Sequence, residues 1–495
     1  MAHNHARTAV PKLDAKINKL KVQLHNVHNN DRDDLPDRML AAITLEENIT
    51  NLECIRYLTT RQHNAARHHL EGETMGRYWI NSNNPRSPRD MLRSLRIPHS
   101  NPLSLTSRSS DMAQLARDYH ETIQLQDLPH FPPPNEDNTP LRTILDHLRP
   151  TVLPQDKNDL AKMIKPHEVR QAILDLPNGK ASGLDGLPHD LWRILLARHD
   201  TQPTNGHQVF NALAALTVVY NDIERHRTTE SAAFSEGWMC PIYKKNDRTE
   251  ISNYRPITVL NADYKIFTRV LTNRLSKVAP YLIHPDQAGF MKQRRIEDQT
   301  DLIQLMVHTC EADEENGAIV CLDQEKAYDK IAHPFLWVTL EKLDFPTHFI
   351  NTIKSLYRYA RTKVIINGEV STSFLILHGV RQGDPLSCLL FNLAIESLTS
   401  MLRDSTLSGL PIPSTPHRLI VTLFADDTTI FLLTSDDYHA LLHILHDWCQ
   451  VSGAKFNTQK TVILPIGSKP HCLYVLQSRQ LHESYPPIPP SVHIA

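Results

Sequence analysis

The sequence predicts an α+β fold in which a helical N-terminal region precedes an antiparallel sheet with packed helices. Leu423-Phe424-Ala425-Asp426-Asp427-Thr428-Thr429-Ile430-Phe431 puts apolar and β-prone residues on both sides of two adjacent carboxylates. That pattern predicts a hairpin with the acids at its two-residue tip. Ala318-Ile319-Val320-Cys321-Leu322 is a short apolar run that fits a buried strand, and it ends on Asp323. Residues 1–70 carry helical spacing instead, with Leu13, Ile17, Leu20 and Leu24 at helical intervals in Pro11–Leu24 and a longer amphipathic pattern over Met39–Leu70.

At 495 residues, 40% apolar and 22% charged, the chain has room for several domains and an ordinary globular composition rather than a disordered one. No run approaches the roughly 18 apolar residues of a membrane helix, and Met-Ala-His-Asn-His-Ala-Arg lacks a signal-peptide core. An intracellular protein, nuclear or cytoplasmic, is expected. The cysteines at 54, 240, 310, 321, 388, 449 and 472 form no C-x-x-C pair, so neither a disulfide framework nor a zinc knuckle is visible. A net charge of −2 leaves no overall basic footprint, but its distribution is uneven. Residues 251–300 hold eight Lys/Arg against four acids, and residues 301–350 hold three against ten. A basic segment beside an acidic one suits a phosphate-gripping stretch next to a metal-binding one.

Along the chain, His63, His68 and His69 lie on an Arg-rich helical stretch and read as a solvated face. Gly76-Arg77-Tyr78-Trp79-Ile80-Asn81 and Asn84-Pro85-Arg86-Ser87-Pro88-Arg89 read as an aromatic hinge and a turn-rich linker. Met112–Leu125 predicts another helix, and the breaker Pro129-His130-Phe131-Pro132-Pro133-Pro134 a boundary. The resulting divisions are a helical N-terminal region with its linker over 1–134, a helical segment over 135–237, and a sheet-bearing domain over 238–495. A helix over His167–Leu176 leads into Asn178-Gly179-Lys180-Ala181-Ser182-Gly183-Leu184-Asp185-Gly186-Leu187-Pro188, whose glycines and lysine are a candidate anion nest without the P-loop order. A polar loop over 200–207 and a buried helix over Val209–Glu224 follow. Met239-Cys240-Pro241-Ile242-Tyr243-Lys244 reads as strand then basic turn, Ile251-Ser252-Asn253-Tyr254-Arg255-Pro256-Ile257 as a second turn into Val259-Leu260. The helix Tyr264–Val278 carries Lys265, Arg269 and Arg274.

Adjacent carboxylates repel, so the Asp426–Asp427 tip calls for a cation, and a hard divalent ion such as Mg²⁺ is the natural candidate. Asp323, brought beside the hairpin, would complete a three-acid site for two such ions, the arrangement that clamps attacking and leaving oxygens in phosphoryl transfer.

Asp323-Gln324-Glu325-Lys326-Ala327-Tyr328-Asp329, Gly379-Val380-Arg381-Gln382-Gly383-Asp384-Pro385-Leu386-Ser387 and Phe424-Ala425-Asp426-Asp427 resemble, in that order, three successive palm motifs of reverse transcriptases. The variant is similar to that of non-LTR (LINE-type) retrotransposons. Gln287-Ala288-Gly289-Phe290 through Arg294, Arg295 and Asp298, and Ser452 through Thr461, are similar to the same family. The resemblance runs over 160–466 and is strongest from 238 onward. It implies right-hand polymerase fingers and palm, and an RNA-directed DNA polymerase extending a primer 3′-hydroxyl with dNTPs. RNA template and DNA primer or nicked target DNA would be its partners, and two Mg²⁺, with Mn²⁺ as substitute, its cofactors on Asp323, Asp426 and Asp427.

The family's roles map by resemblance onto particular positions. Lys244 and Arg255 would meet the triphosphate, Tyr328 would exclude a ribose 2′-hydroxyl, and Gln382 and Gly383 would touch nucleotide or template. Lys180, Arg294 and Arg295 would grip nucleic acid, and Lys460 would protonate the departing pyrophosphate. At Asp384 the family more often has a non-acidic residue. After the palm motifs no helical thumb is recognisable before the Tyr485-Pro486-Pro487-Ile488-Pro489-Pro490 tail, so a truncated product is expected. The alternative is a catalytically idle remnant that at most binds RNA.

Overall fold

Apolar residues one or two turns apart build the N-terminal helix Ala2–His28, where Ile17 and Leu24 pack with Ala42 and Ile49 from the helical residues 40–52. The computed structural model describes residues 2–28, 37, 40–52, 55, 91–98, 104–126, 139–201 and 210–495. The histidines at 63, 68 and 69, the hinge and linker over 76–89, the proline run and most of the 200–207 loop lie outside the described residues, as does Cys54. The other six cysteines are free thiols.

The chain divides into two compact units, residues 1–120, 239–257 and 363–374 in one and residues 121–238, 258–362 and 375–495 in the other. The first holds the N-terminal helices and most of a sheet ordered Tyr254–Leu260, Glu236–Tyr243, Arg361–Ile366, Glu369–Val370, whose first three strands run on into the second unit. Burial alternates along Arg361–Ile366, as a half-covered strand requires. Arg96 closes a loop in this unit by pairing with both Asp247 and Glu250, at 3.2 and 2.5 Å.

The second unit is built on a five-stranded sheet. Its strands are β1 Gly317–Leu322, β2 Val421–Phe424, β3 Asp427–Leu433, β4 Val462–Ile466 and β5 His493–Ile494, in the order β2-β3-β1-β4-β5. All neighbours are antiparallel except β4 and β5. The helices α1 Ala262–Leu282, α2 Ile296–Ala312, α3 Ser387–Arg403 and α4 Tyr438–Ser452 belong to this unit. Helix α1 is longer at both ends than the predicted Tyr264–Val278 and tolerates Pro280 near its last turn. Helix α3 is buried on nearly every side, which its apolar sequence dictates.

Period-2 alternation sorts the central strands onto two faces. Ala318, Val320, Leu322, Ile430 and Leu432 enter the main core with Phe267, Phe391 and Trp448. Ile319 and Phe431 enter a smaller cluster with Met306 and Cys310 of α2 and with Leu410 and Leu419. That second cover ends before the end of β1, where Cys321 is exposed.

One expectation is corrected here. The two-residue tip of the hairpin is Ala425–Asp426, not Asp426–Asp427, because Asp427 already pairs with Phe424 as the first residue of β3. Ala425 takes the left-handed conformation (φ 59°) that such a turn demands of its first residue. Beyond β4, a helix over Lys469–Ser478 turns the chain back. Arg479 there donates to the carbonyls of Ile488, Pro489 and Val492, fixing the last strand beside β4.

Candidate active site

The ladder register decides where the acids stand. Leu322 of β1 faces Thr428 of β3, so the next step puts Asp323 opposite Asp427, with Asp426 one residue away at the turn. Directly opposed residues share a face, and this pair falls beyond the α2 cover, at the open end of the sheet. Asp323 and Asp426 are half-buried and Asp427 is exposed. The segment after α4 borders the same end, its Asn457 N–H donating to the Asp323 carbonyl at 2.7 Å. It delivers the Lys460 ammonium to 3.4 Å from the Asp323 carboxylate.

Carboxylate oxygens are the donors a hard divalent ion takes, and adjacent strands deliver them to one place, so the donor chemistry fits such an ion. Among the described residues, though, no group of three His, Cys, Asp or Glu side chains is gathered closely enough to form a finished cage. The three acids share one end of one sheet; the expected three-acid cluster is not closed.

Tyr328 adjoins them. Its ring stacks on Phe391 of α3 at 4.6 Å between centroids and meets Phe290 edge-on at 6.5 Å. Burial pushes its phenol well above the ordinary range, reinforced by Cys388, Asp426 and Asp427. Among the described residues its hydroxyl, enclosed in protein, has no hydrogen-bond partner. Gln382 is less free than predicted, since its amide donates to Asp329 at 3.3 Å and its carbonyl accepts from Thr258 N–H at 3.0 Å. Burial raises the Asp329 carboxyl to about 6, opposed by Lys326 and by that amide. Gly383 (φ 108°) is needed for protein packing, because a Cβ there would sit 2.2 Å from the Thr258 carbonyl oxygen.

Asp384, where the family more often has a non-acidic residue, is buried and hydrogen-bonded. It accepts from the Tyr264 hydroxyl and the Leu386 N–H, both at 3.0 Å. Burial still raises its carboxyl, against those hydrogen bonds and the nearby Arg381.

The predicted cations divide. Lys244 and Arg255 are exposed and lie in the first unit. Lys180 and Arg295 are exposed in the second. The Gly179 N–H of the candidate anion nest already has a protein acceptor, Asp190, at 3.1 Å. Arg274 of α1 is turned inward: it is 6% exposed, forks onto Glu168 at 2.7 and 2.9 Å and donates to the Lys162 carbonyl. Arg294 is turned inward too. It donates to the carbonyls of Pro280, Ile283, His284 and Gln287, closing the C-terminal end of α1.

Sequence reasoning missed two side chains behind the acid-bearing turn. Gln287, 1% exposed, accepts from Ala425 N–H and Gly289 N–H, both at 2.8 Å, and donates to the Ala425 carbonyl at 3.1 Å. Asn392 of α3, fully buried, donates to the Gly289 carbonyl at 2.7 Å. The Gln287-Ala288-Gly289-Phe290 stretch resembles the family, but nothing local names a target 138 residues away.

Residues 242–479 match the family described as reverse transcriptase (RNA-dependent DNA polymerase). Over 319 residues the chain is 32% identical to the transposon TX1 uncharacterized 149 kDa protein of Xenopus laevis, a match covering 64% of this chain and 23% of that protein. It is 27% identical over 218 residues to the retrovirus-related Pol polyprotein from type-2 retrotransposable element R2DM of Drosophila melanogaster, covering 44% and 20%. It is 23% identical over 307 residues to the RNA-directed DNA polymerase from mobile element jockey of the same fly, covering 59% and 31%. The chain thus spans about a fifth to a third of the length of these curated relatives. The three acids and strands β1 to β4 fall within residues 242–479, the stretch over which the chain is similar to reverse transcriptases of non-LTR retrotransposons.

Proposed function

We propose that this chain is an RNA-directed DNA polymerase, a nucleotidyltransferase that extends a DNA primer 3′-hydroxyl with dNTPs along an RNA template. The observation carrying the reading is the pairing of Leu322 with Thr428, which leaves Asp323 and the Asp426–Asp427 turn at the same end of one sheet, inside the stretch that matches the reverse transcriptase family. Divalent ions held by Asp323 and Asp426 with Asp427 in support, Mg²⁺ first and Mn²⁺ as substitute, would supply an acidified primer hydroxyl and neutralised leaving oxygens.

The chain's own residues do the rest. Tyr328, held by Phe391, occupies the space a ribose 2′-hydroxyl would need and selects deoxynucleotides. Asp329 fixes Gln382, and with Gly383 the latter borders nucleotide and template. Lys460, drawn to Asp323, donates a proton to pyrophosphate as it leaves. Lys244 and Arg255 meet the triphosphate, and Lys180 and Arg295 the nucleic-acid backbone. Residues 238–495 act as fingers and palm, and the stretch 135–237 carries the template-gripping motif ahead of them. A nicked target DNA is the natural source of primer. Among the described residues no helix is long and apolar enough to cross a membrane, in keeping with work on intracellular nucleic acid.

Primer extension on poly(rA)/oligo(dT) with Mg²⁺ tests the reading. Extension by the wild type and none by Asp426→Ala is expected. No extension by the wild type, with RNA binding retained, would make the chain a non-catalytic RNA binder.

A further inference from the structure

The catalytic turn is built on a residue poorly suited to it. A first turn position with positive φ ordinarily goes to glycine, yet residue 425 is Ala at φ 59°. Left alone, such a turn would relax and carry Asp426 with it. What surrounds it prevents this. Gln287 spends its whole amide on backbone, its oxygen taking the N–H groups of Ala425 and Gly289 and its nitrogen giving to the Ala425 carbonyl. A side-chain amide supplies both the acceptor and the donor for this task, and the two N–H groups fix which atom is oxygen.

The brace is itself anchored. Ala288 N–H donates to the Leu423 carbonyl at 2.9 Å and Leu423 N–H to the Asp286 carbonyl at 2.8 Å, so the 286–288 strip runs beside β2. Gly289 lets it lie flush, since a Cβ there would be 2.2 Å from the Ala425 nitrogen. Asn392 holds Gly289 from α3, the helix on which Tyr328 stacks.

On the polymerase reading above, we infer that Gln287 is a positioning residue: its amide locks Ala425 in the left-handed conformation and so sets the direction in which Asp426 and Asp427 present their carboxylates. It touches no substrate. Its effect is on the chemical step and on the Mg²⁺ concentration that step requires, not on nucleotide affinity.

The test compares the full-length wild type, Gln287→Met and Gln287→Glu. Methionine keeps the volume and loses all three hydrogen bonds, while glutamate keeps the acceptor and loses the donor. Extension with a Mg²⁺ titration is read beside amide hydrogen exchange over 421–430. For Gln287→Met, kcat should fall by about a hundredfold with KM for dNTP unchanged, as a misplacement near 1 Å would cause. The Mg²⁺ midpoint should rise, Ala425 exchange should accelerate, and Gln287→Glu should fall between. Wild-type kcat and Mg²⁺ midpoint in Gln287→Met would overturn the positioning role, and unchanged exchange at Ala425 would overturn the clamp. If the wild type itself does not extend, the polymerase reading fails, and the exchange contrast alone then decides for or against the clamp. Should Gln287→Met not fold, Gln287→Glu carries the same comparisons.

Discussion

The ammonium of Lys460 lies 3.4 Å from the carboxylate of Asp323, and the backbone of the same loop is tied to the Asp323 carbonyl through Asn457. A cation is thus held next to the first acid by a loop rather than by a rigid strand. The Lys460 side chain is largely exposed and that of half-buried Asp323 still 41% so, and the pair therefore contributes little to folding. Its use is in chemistry. Lys460→Met should lower the single-turnover extension rate by on the order of a hundredfold or more, the usual scale for a lost general acid. Thermal unfolding should be unchanged. An unaltered rate would leave Lys460 as an ordinary surface cation.

The stack of Tyr328 on Phe391 makes sugar selection a rigid feature, since a half-buried ring fixed by a helix cannot swing aside. Tyr328→Val should open space for a 2′-hydroxyl. The ratio of kcat/KM for dTTP over UTP should drop roughly 10- to 200-fold, the range one steric contact in a pocket commands. Comparable ratios in variant and wild type would show that selection lies elsewhere.

Much of the site was legible because it is local. The β-prone residues flanking the two acids over 423–431 and the apolar run 318–322 specify strands by composition alone, and both strands formed there. Three things were not legible. The turn slipped by one residue, because Asp-Asp and Ala-Asp tips differ only in which residue accepts positive φ, and Ala425 is an unusual choice. The basic character of 251–300 predicted phosphate contacts, but two of its arginines are consumed inside the protein: Arg274 by Glu168 and Arg294 by the end of α1. Asp384 departs from the family's usual non-acidic residue, and the donors that accommodate it, Tyr264 and Leu386, are invisible without tertiary structure.

Arg294 and Arg295 are neighbours with opposite surroundings, and the contrast can be measured. Arg294 serves four carbonyls, and burial lowers its pKa against the opposing pull of Glu396 and Asp286. Arg294→Met should destabilise the fold by about 2 kcal/mol in urea unfolding, the scale for stranding acceptors of a charged donor. It should leave the salt dependence of RNA binding alone. Arg295→Met, at an exposed position, should leave stability unchanged and reduce the slope of log K against log salt by about 1 if it meets a phosphate. A reduced slope in Arg294→Met would return that arginine to the nucleic-acid surface.

Glu224 sits under 5% exposed where Arg274, Glu168, Arg227 and His348 meet, with Arg274 and His348 each 3.9 Å away. Burial raises its carboxyl to about 7 from 4.5; Arg274 and Arg227 pull it down and Glu168 pushes it up. The folded state therefore keeps a proton that the unfolded chain loses near pH 4.5. Stability from this group is fully present below 4.5 and is lost as pH rises through about 7. Glu224→Gln mimics the protonated form at every pH, while Arg274 keeps its fork onto Glu168. The variant and the wild type should have matching urea midpoints near pH 4 and diverge near pH 8. There the variant should be the more stable by on the order of 3 kcal/mol, the equivalent of a shift of this size. A gap of equal size at both pH values would mean that the carboxyl is charged throughout, held by Arg274 despite its burial.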